Sequence, residues 1–141
     1  MIKGIYEIFE EIEKTPNRQD KINILRFNNR KALEVVLQNS FHPDIKFLID
    51  RVPYYKPSDS LPGLGYNNLD MNLKRIYLFQ ANHPKRSPNL SQKKMENLLI
   101  EMLESLEAKE ATVFVNMLLK KQKVKGLNYS LVKEAFPNLL P

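Results

Sequence analysis

Between residues 118 and 137 the chain reads LLKKQKVKGLNYSLVKEAFP, with Lys120, Lys121, Lys123 and Lys125 packed into six positions and followed by Gly126, Asn128, Ser130 and Lys133. Clustered ammonium groups ahead of a glycine have two readings. They can complete the last turn of a helix, where cations offset the carbonyl end of the dipole and Gly126 supplies the left-handed residue beyond it. Or they can hold a polyanion. Asn128 would then cap a final helix, the N–H groups of residues 129–131 would point out of its N-terminus with Ser130 nearby, and the lysines would add charge. Together these make a phosphate cradle with no base reading. On the residues alone, the solvated turn is the simpler of the two.

Other chemistry is poorly provided for. There is no cysteine, which removes disulfides, thiolate nucleophiles and Cys-ligated zinc. His42 and His83 each precede a proline and stand about forty residues apart, so they read as turn residues outside any metal-ligand spacing. The acidic pairs Glu10-Glu11 and Asp44/Asp50 fall on helical patterns with no partner base. We expect no catalytic residue, no metal and no cofactor.

The net charge is +6 and the pI about 9.5. It is unevenly spread: residues 1–50 are neutral overall, whereas residues 51–100 carry eight basic and three acidic side chains. Further on, Glu101, Glu104, Glu107 and Glu110 precede the lysine cluster, which separates the two signs. Segregated basic blocks fit a polyanion-binding face.

The elements that must position these residues read as helices. At 141 residues, 43% hydrophobic, the chain suits one domain spanning residues 1–141 with its own core. It has no long apolar run and an acid-rich beginning, which predicts a soluble cytoplasmic protein with no membrane partner. Ile2, Ile5, Ile8, Phe9 and Ile12 mark a first amphipathic helix. Thr15-Pro16 predicts the start of a second, and Leu33, Val36 and Leu37 a third. Pro43-Asp44 predicts a short fourth helix through Ile45, Phe47, Leu48 and Ile49, closed by Pro53.

An irregular loop, residues 52–68, follows; Tyr54, Tyr55 and Tyr66 argue that it packs in part, and Gly63-Leu64-Gly65 reads as a turn. Leu69 to Phe79 predicts a fifth helix. Ser91 is an N-cap, with Leu90 and Met95 at staple spacing. Two more helical patterns carry Leu98 to Leu106 and Val113 to Leu118, and Leu131 to Phe136 forms the last. The expected fold is all-α, with about eight helices.

Taken in order, MIKGIYEIFEEIEKT, NRQDKINILRFNNRKALEVVLQ, IKFLIDRVPYYKPS and the closing LLKKQKVKGLNYSLVKEAFPNLLP resemble the N-terminal, all-helical DNA-binding domain of ATP-dependent DNA ligases, most closely the short version in T-even-type phages. The resemblance spans nearly the whole chain. It implies a module that grips duplex or nicked DNA by its backbone, with Gly126, Lys133 and the Arg51–Pro57 loop, including Lys56, at family positions. It also reverses the order of the two readings of the lysine cluster. A ligase, however, needs a Lys-x-Asp-Gly nucleophile on a separate nucleotidyltransferase domain. The nearest echo, Lys123-Val124-Lys125-Gly126, has lysine in place of the aspartate.

The expectation is therefore a non-enzymatic, sequence-independent DNA-binding protein of bacteriophage type, working in the host cytoplasm if phage-encoded. Its candidate contacts are Arg51, Lys56, Lys120, Lys121, Lys123, Lys125, Gly126, Asn128, Ser130 and Lys133. The alternative is a protein-interaction module in host takeover or assembly, docking an acidic protein or a separate nucleic-acid enzyme on the same scaffold.

Overall fold

The apolar stripe at the start of the chain does what its spacing requires. Ile5, Ile8, Phe9 and Ile12 are all buried on α1 (Ile5–Lys14). The computed structural model describes residues 3–58 and 69–141. Most of the irregular 52–68 segment, with Tyr66 and the Gly63-Leu64-Gly65 turn, lies outside the described residues. The rest is all-α: α2 (Arg18–Phe27), α3 (Lys31–Phe41), α4 (Leu69–Leu73), a 3-10 helix (Ile76–Phe79), α5 (Gln92–Ser105), α6 (Ala108–Leu118) and α7 (Tyr129–Ala135). One core cluster draws on every helix, from Ile5 to Leu140. At its centre the rings of Phe79 and Phe114 meet edge to face, 6.4 Å apart.

Caps explain several boundaries. Asn17, not Thr15, begins α2, because its side chain accepts from Asp20 N–H; Thr15 closes α1 instead. Ser91 caps α5 by accepting from Lys94 N–H, with Met95 buried one residue further on. α7 has only seven residues and is held from outside. Arg26 donates to the carbonyls of Glu134 and Ala135 at its C-terminus, and Arg18 pairs with Glu134 at 2.9 Å. Isolated helices this short are not stable in water, so α7 depends on α2.

The predicted fourth helix does not form. Ile45, Phe47 and Ile49 turn inward while Lys46 and Leu48 turn out, an alternation of period two. The backbone pairs accordingly: Leu48 N–H donates to Phe79 O at 2.8 Å and Ala81 N–H to Lys46 O at 2.9 Å, around an antiparallel bridge between Phe47 and Gln80. The predicted fifth helix is likewise broken, into α4 and the 3-10 turn that supplies this pairing edge.

Two carboxylates serve the N-terminus of α1. Glu7 accepts from Gly4 N–H at 3.0 Å, and Glu110, on α6, accepts from Tyr6 N–H at 3.1 Å. Glu110 is only 7% exposed. Burial pushes its pKa up to about 7, with Glu107 and Asp70 adding to the rise, while the Tyr6 N–H bond and Arg30 oppose it. Nearby, Arg30 donates to both oxygens of Asp70 at 2.9 Å and to Lys3 O at 3.0 Å, tying the N-terminus to α4.

A carboxyl whose folded pKa is raised adds stability that is complete below its unfolded value and is lost as pH rises through the folded one. For Glu110 that window runs from about 4.5 to about 7. Unfolding free energies of the wild type and Glu110→Gln, measured across it, should diverge by about 3 kcal/mol, the wild type gaining on the variant as pH falls. A constant difference would show that this carboxylate ionises without a burial cost.

Candidate nucleic-acid interface

The lysine cluster is not the last turn of a helix. α6 ends at Leu118, and Lys120, with φ of 54°, is the left-handed residue beyond it. Lys120 N–H donates to Met117 O and Lys121 N–H to Asn116 O, the paired bonds of a Schellman ending. Gly126, expected at that position, lies six residues later, in the turn before α7, with φ of 86°. A Cβ there would collide with the ammonium of Lys21, which lies across it from α2.

A lysine in left-handed conformation costs about 1–2 kcal/mol. What offsets that cost is the side chain. Its ammonium donates to three carbonyls, Asn39 O at 3.0 Å, His42 O at 2.7 Å and Ile45 O at 2.7 Å, at and just beyond the C-terminus of α3. All three of its donors are used. Burial holds its pKa below the usual lysine value. Lys120 is therefore a clamp between α6 and α3, and leaves the set of phosphate ligands.

Beyond the clamp, exposure alternates. Lys121, Lys123 and Lys125 are exposed, while Gln122 and Val124 are partly buried. Gln122 donates to Ser40 Oγ and to Val113 O, both at 3.1 Å, and Val124 packs against the core. The three lysines thus form an outward-facing comb, Lys121 and Lys123 on the segment leaving α6 and Lys125 in the turn closed by Leu127 N–H on Val124 O at 3.0 Å. None of the three ammonium groups has a hydrogen bond or ion pair with another described residue.

The remaining predicted residues divide. Asn128 caps α7 by accepting from Leu131 N–H at 2.9 Å, so one of the amides expected to face a phosphate is already satisfied. Ser130 accepts from Arg18 at 3.0 Å. Lys133 donates to the carbonyls of Pro137 and Leu140, both at 2.8 Å, and holds the C-terminal turn. Four expected contacts, Lys120, Asn128, Ser130 and Lys133, are thus committed to the fold.

Arg51 and Lys56 are exposed, and Lys56 does not join the comb. Lys56 N–H donates to Glu104 at 2.7 Å, and Ser58 bridges to Glu107 at the N-terminal end of α6. The comb starts from the opposite end of that helix, about 16 Å away for eleven residues. Glu104 and Glu107 flank the loop end, so acidic side chains stand between Lys56 and the comb.

The histidines are turn residues: His42 Nδ1 accepts from Asp44 N–H and His83 Nδ1 from Lys85 N–H, both at 3.1 Å. Sequence reasoning missed Lys21, whose place over Gly126 depends on how α2 packs. It also missed a cleft beside α3 and α4 lined by Lys31, Lys74 and Lys85. The basic excess of residues 51–100 was its only signal.

Replacing Lys120 separates clamp from contact. Lys120→Met keeps the left-handed strain and loses three charged hydrogen bonds, and should destabilise by about 2–3 kcal/mol. Lys120→Gly relieves the strain and should cost about 1 kcal/mol less. Denaturant titration ranks the two, and equal stability of both variants and the wild type would remove the clamp.

No helix among the described residues is long and apolar enough to cross a membrane. No curated protein matches this chain. A family model does match residues 8–125, from α1 through the last lysine of the comb, so that the clamp, the comb and the cleft all fall inside the match and α7 outside it. The chain belongs to that family, described as a family of unknown function (DUF6433).

Proposed function

We propose that the protein is a non-enzymatic, sequence-independent binder of the DNA phosphate backbone, and that Lys121, Lys123 and Lys125 make its principal contacts. The carrying observation is the comb itself. Three ammonium groups with no partner among the described residues alternate with anchored residues, so the backbone that carries the charges is already in place. A purely solvated turn has no need of such anchoring. Lys21, lying over Gly126, extends the same surface. The likeness to ligase DNA-binding domains belongs to this proposal and supports duplex or nicked duplex as the form bound; Arg51 and Lys56 would act in it as a separate, weaker contact.

The interaction reading has one observation in its favour. Tyr54 is 89% exposed, as a hydrophobic contact on a partner would require. Tyr55, however, packs against the core, where burial raises its pKa. Phe27, at the end of α2, is also 88% exposed; nothing joins the two rings into one patch, and hydrophobic residues exposed singly need no special explanation. An acidic protein partner is the second reading on these grounds.

Fluorescence polarisation with intact and nicked duplexes tests the first. Binding should be measurable at micromolar protein in low salt and indifferent to sequence. Joint replacement of Lys121, Lys123 and Lys125 by Gln should lower the slope of log K against log salt by about 3 and weaken every duplex alike. Absence of binding in low salt, or an unchanged slope in the triple variant, rejects the proposal. A pulldown that survives nuclease treatment would favour the protein partner.

A further inference from the structure

We propose that the cleft between α3, α4 and residues 76–85 binds a nucleoside phosphate, with the base on its apolar floor and the phosphate among lysines at its rim. This site is distinct from the comb and does not depend on the duplex-binding proposal. The two lie on neighbouring positions of α3: Asn39 lines the cleft, whereas Ser40 anchors the comb segment through Gln122.

The cleft holds about 630 Å³, within the range of roughly 300–1,000 Å³ usual for small-molecule sites. Ala32, Val35, Leu73 and Ile76 give it an apolar floor. Tyr77 and His83 form an aromatic wall, with ring centroids 5.5 Å apart and planes tilted by 38°. The side chains of Lys31, Lys74 and Lys85 stand exposed at the rim, with no hydrogen bond or ion pair to another described residue. The one acid in the lining, Asp70, has both oxygens on Arg30 at 2.9 Å, which balances its charge. An anion entering the cleft therefore meets net positive charge.

The interior polar groups are already oriented. Gln80 donates through its amide nitrogen to Asn39 Oδ1 at 2.9 Å, and Asn39 donates to Val35 O at 2.8 Å. That leaves the side-chain oxygen of Gln80 as an acceptor. His83 accepts at Nδ1 from Lys85 N–H, so its neutral ring carries the proton on Nε2 and presents a donor. One acceptor, one donor, an aromatic face and an apolar floor match a planar heterocycle, and the lysines match its phosphate. A plain hydrocarbon ligand would leave the lysines without purpose. Inorganic phosphate alone would leave the floor and the ring unused.

Calorimetric titration of the full chain with AMP, adenosine, inorganic phosphate and a short single-stranded oligonucleotide provides the test. AMP should bind more tightly than adenosine or phosphate. Replacing Lys31, Lys74 and Lys85 together by Gln should weaken AMP at least about tenfold. The three are exposed, so the variant should keep the wild-type melting temperature. Tyr77→Leu should cost about tenfold through the lost stacking face. Replacing the three comb lysines should leave AMP binding unchanged. Oligonucleotide binding tighter than AMP, and lost in the same rim variant, assigns the site to a nucleic-acid strand; the reverse order assigns it to a free nucleotide. No heat at millimolar AMP, or equal affinity in the rim variant, overturns the proposal.

Discussion

The three hydrogen bonds of the Lys120 ammonium hold the two ends of this structure that matter most. α3 finishes with unsatisfied carbonyls, and α6 finishes in a left-handed residue that glycine would occupy more cheaply. One side chain resolves both. It spends its charge on the C-terminus of α3, and the chain that leaves α6 is thereby directed along α3, where Gln122 can reach Ser40 and Val113. Without that direction, the alternation that turns Lys121, Lys123 and Lys125 outward would have no fixed edge to alternate on. The clamp also fixes the turn at Ile45, and so the start of the segment whose backbone pairs with residues 79 and 81.

The helical frame was legible in the sequence because helical spacing and caps are local signals. Ile5, Ile8, Phe9 and Ile12 announce α1, and Ser91 announces α5. Two of the misread segments share one cause. In Ile45–Ile49 and in Lys121–Lys125 exposure alternates with a period of two, but Leu48 and Gln122 break the matching alternation of residue type, each run is five residues long, and each adjoins a helix or a helix-compatible proline. Over so short a run the two periods are hard to separate, and the decision falls to partners distant in sequence. For the first segment that partner is the edge at Phe79–Ala81; for the second it is Ser40 and Val113.

The division of the basic residues into structural and free ones was not legible either. Lys120 and Lys133 look like Lys121 and Lys123 in composition, yet their ammonium groups cap carbonyls of α3 and of the C-terminal turn. A lysine's role depends on whether a set of orphan carbonyls lies within reach of its flexible stem, which only tertiary structure decides. The same holds on the acidic side, where Glu110 serves the amide of Tyr6 from more than a hundred residues away.

α6 gathers these charges at its two ends. Glu107 and Glu110 stand at its beginning, with Glu104 just before, and the lysines follow its last residue. Glu104 and Glu107 before the helix and the lysines after it carry the signs that complement the helix's own partial charges, while Lys109 on its first turn is paired with Glu10. The arrangement makes the helix an axis along which its flanking charges are separated by sign. In the field of a polyanion such an object experiences a torque as well as an attraction, and turns its lysine end forward while still at a distance. On the proposed DNA-binding reading, the angle of approach would be set during diffusion, before any side chain touches the duplex.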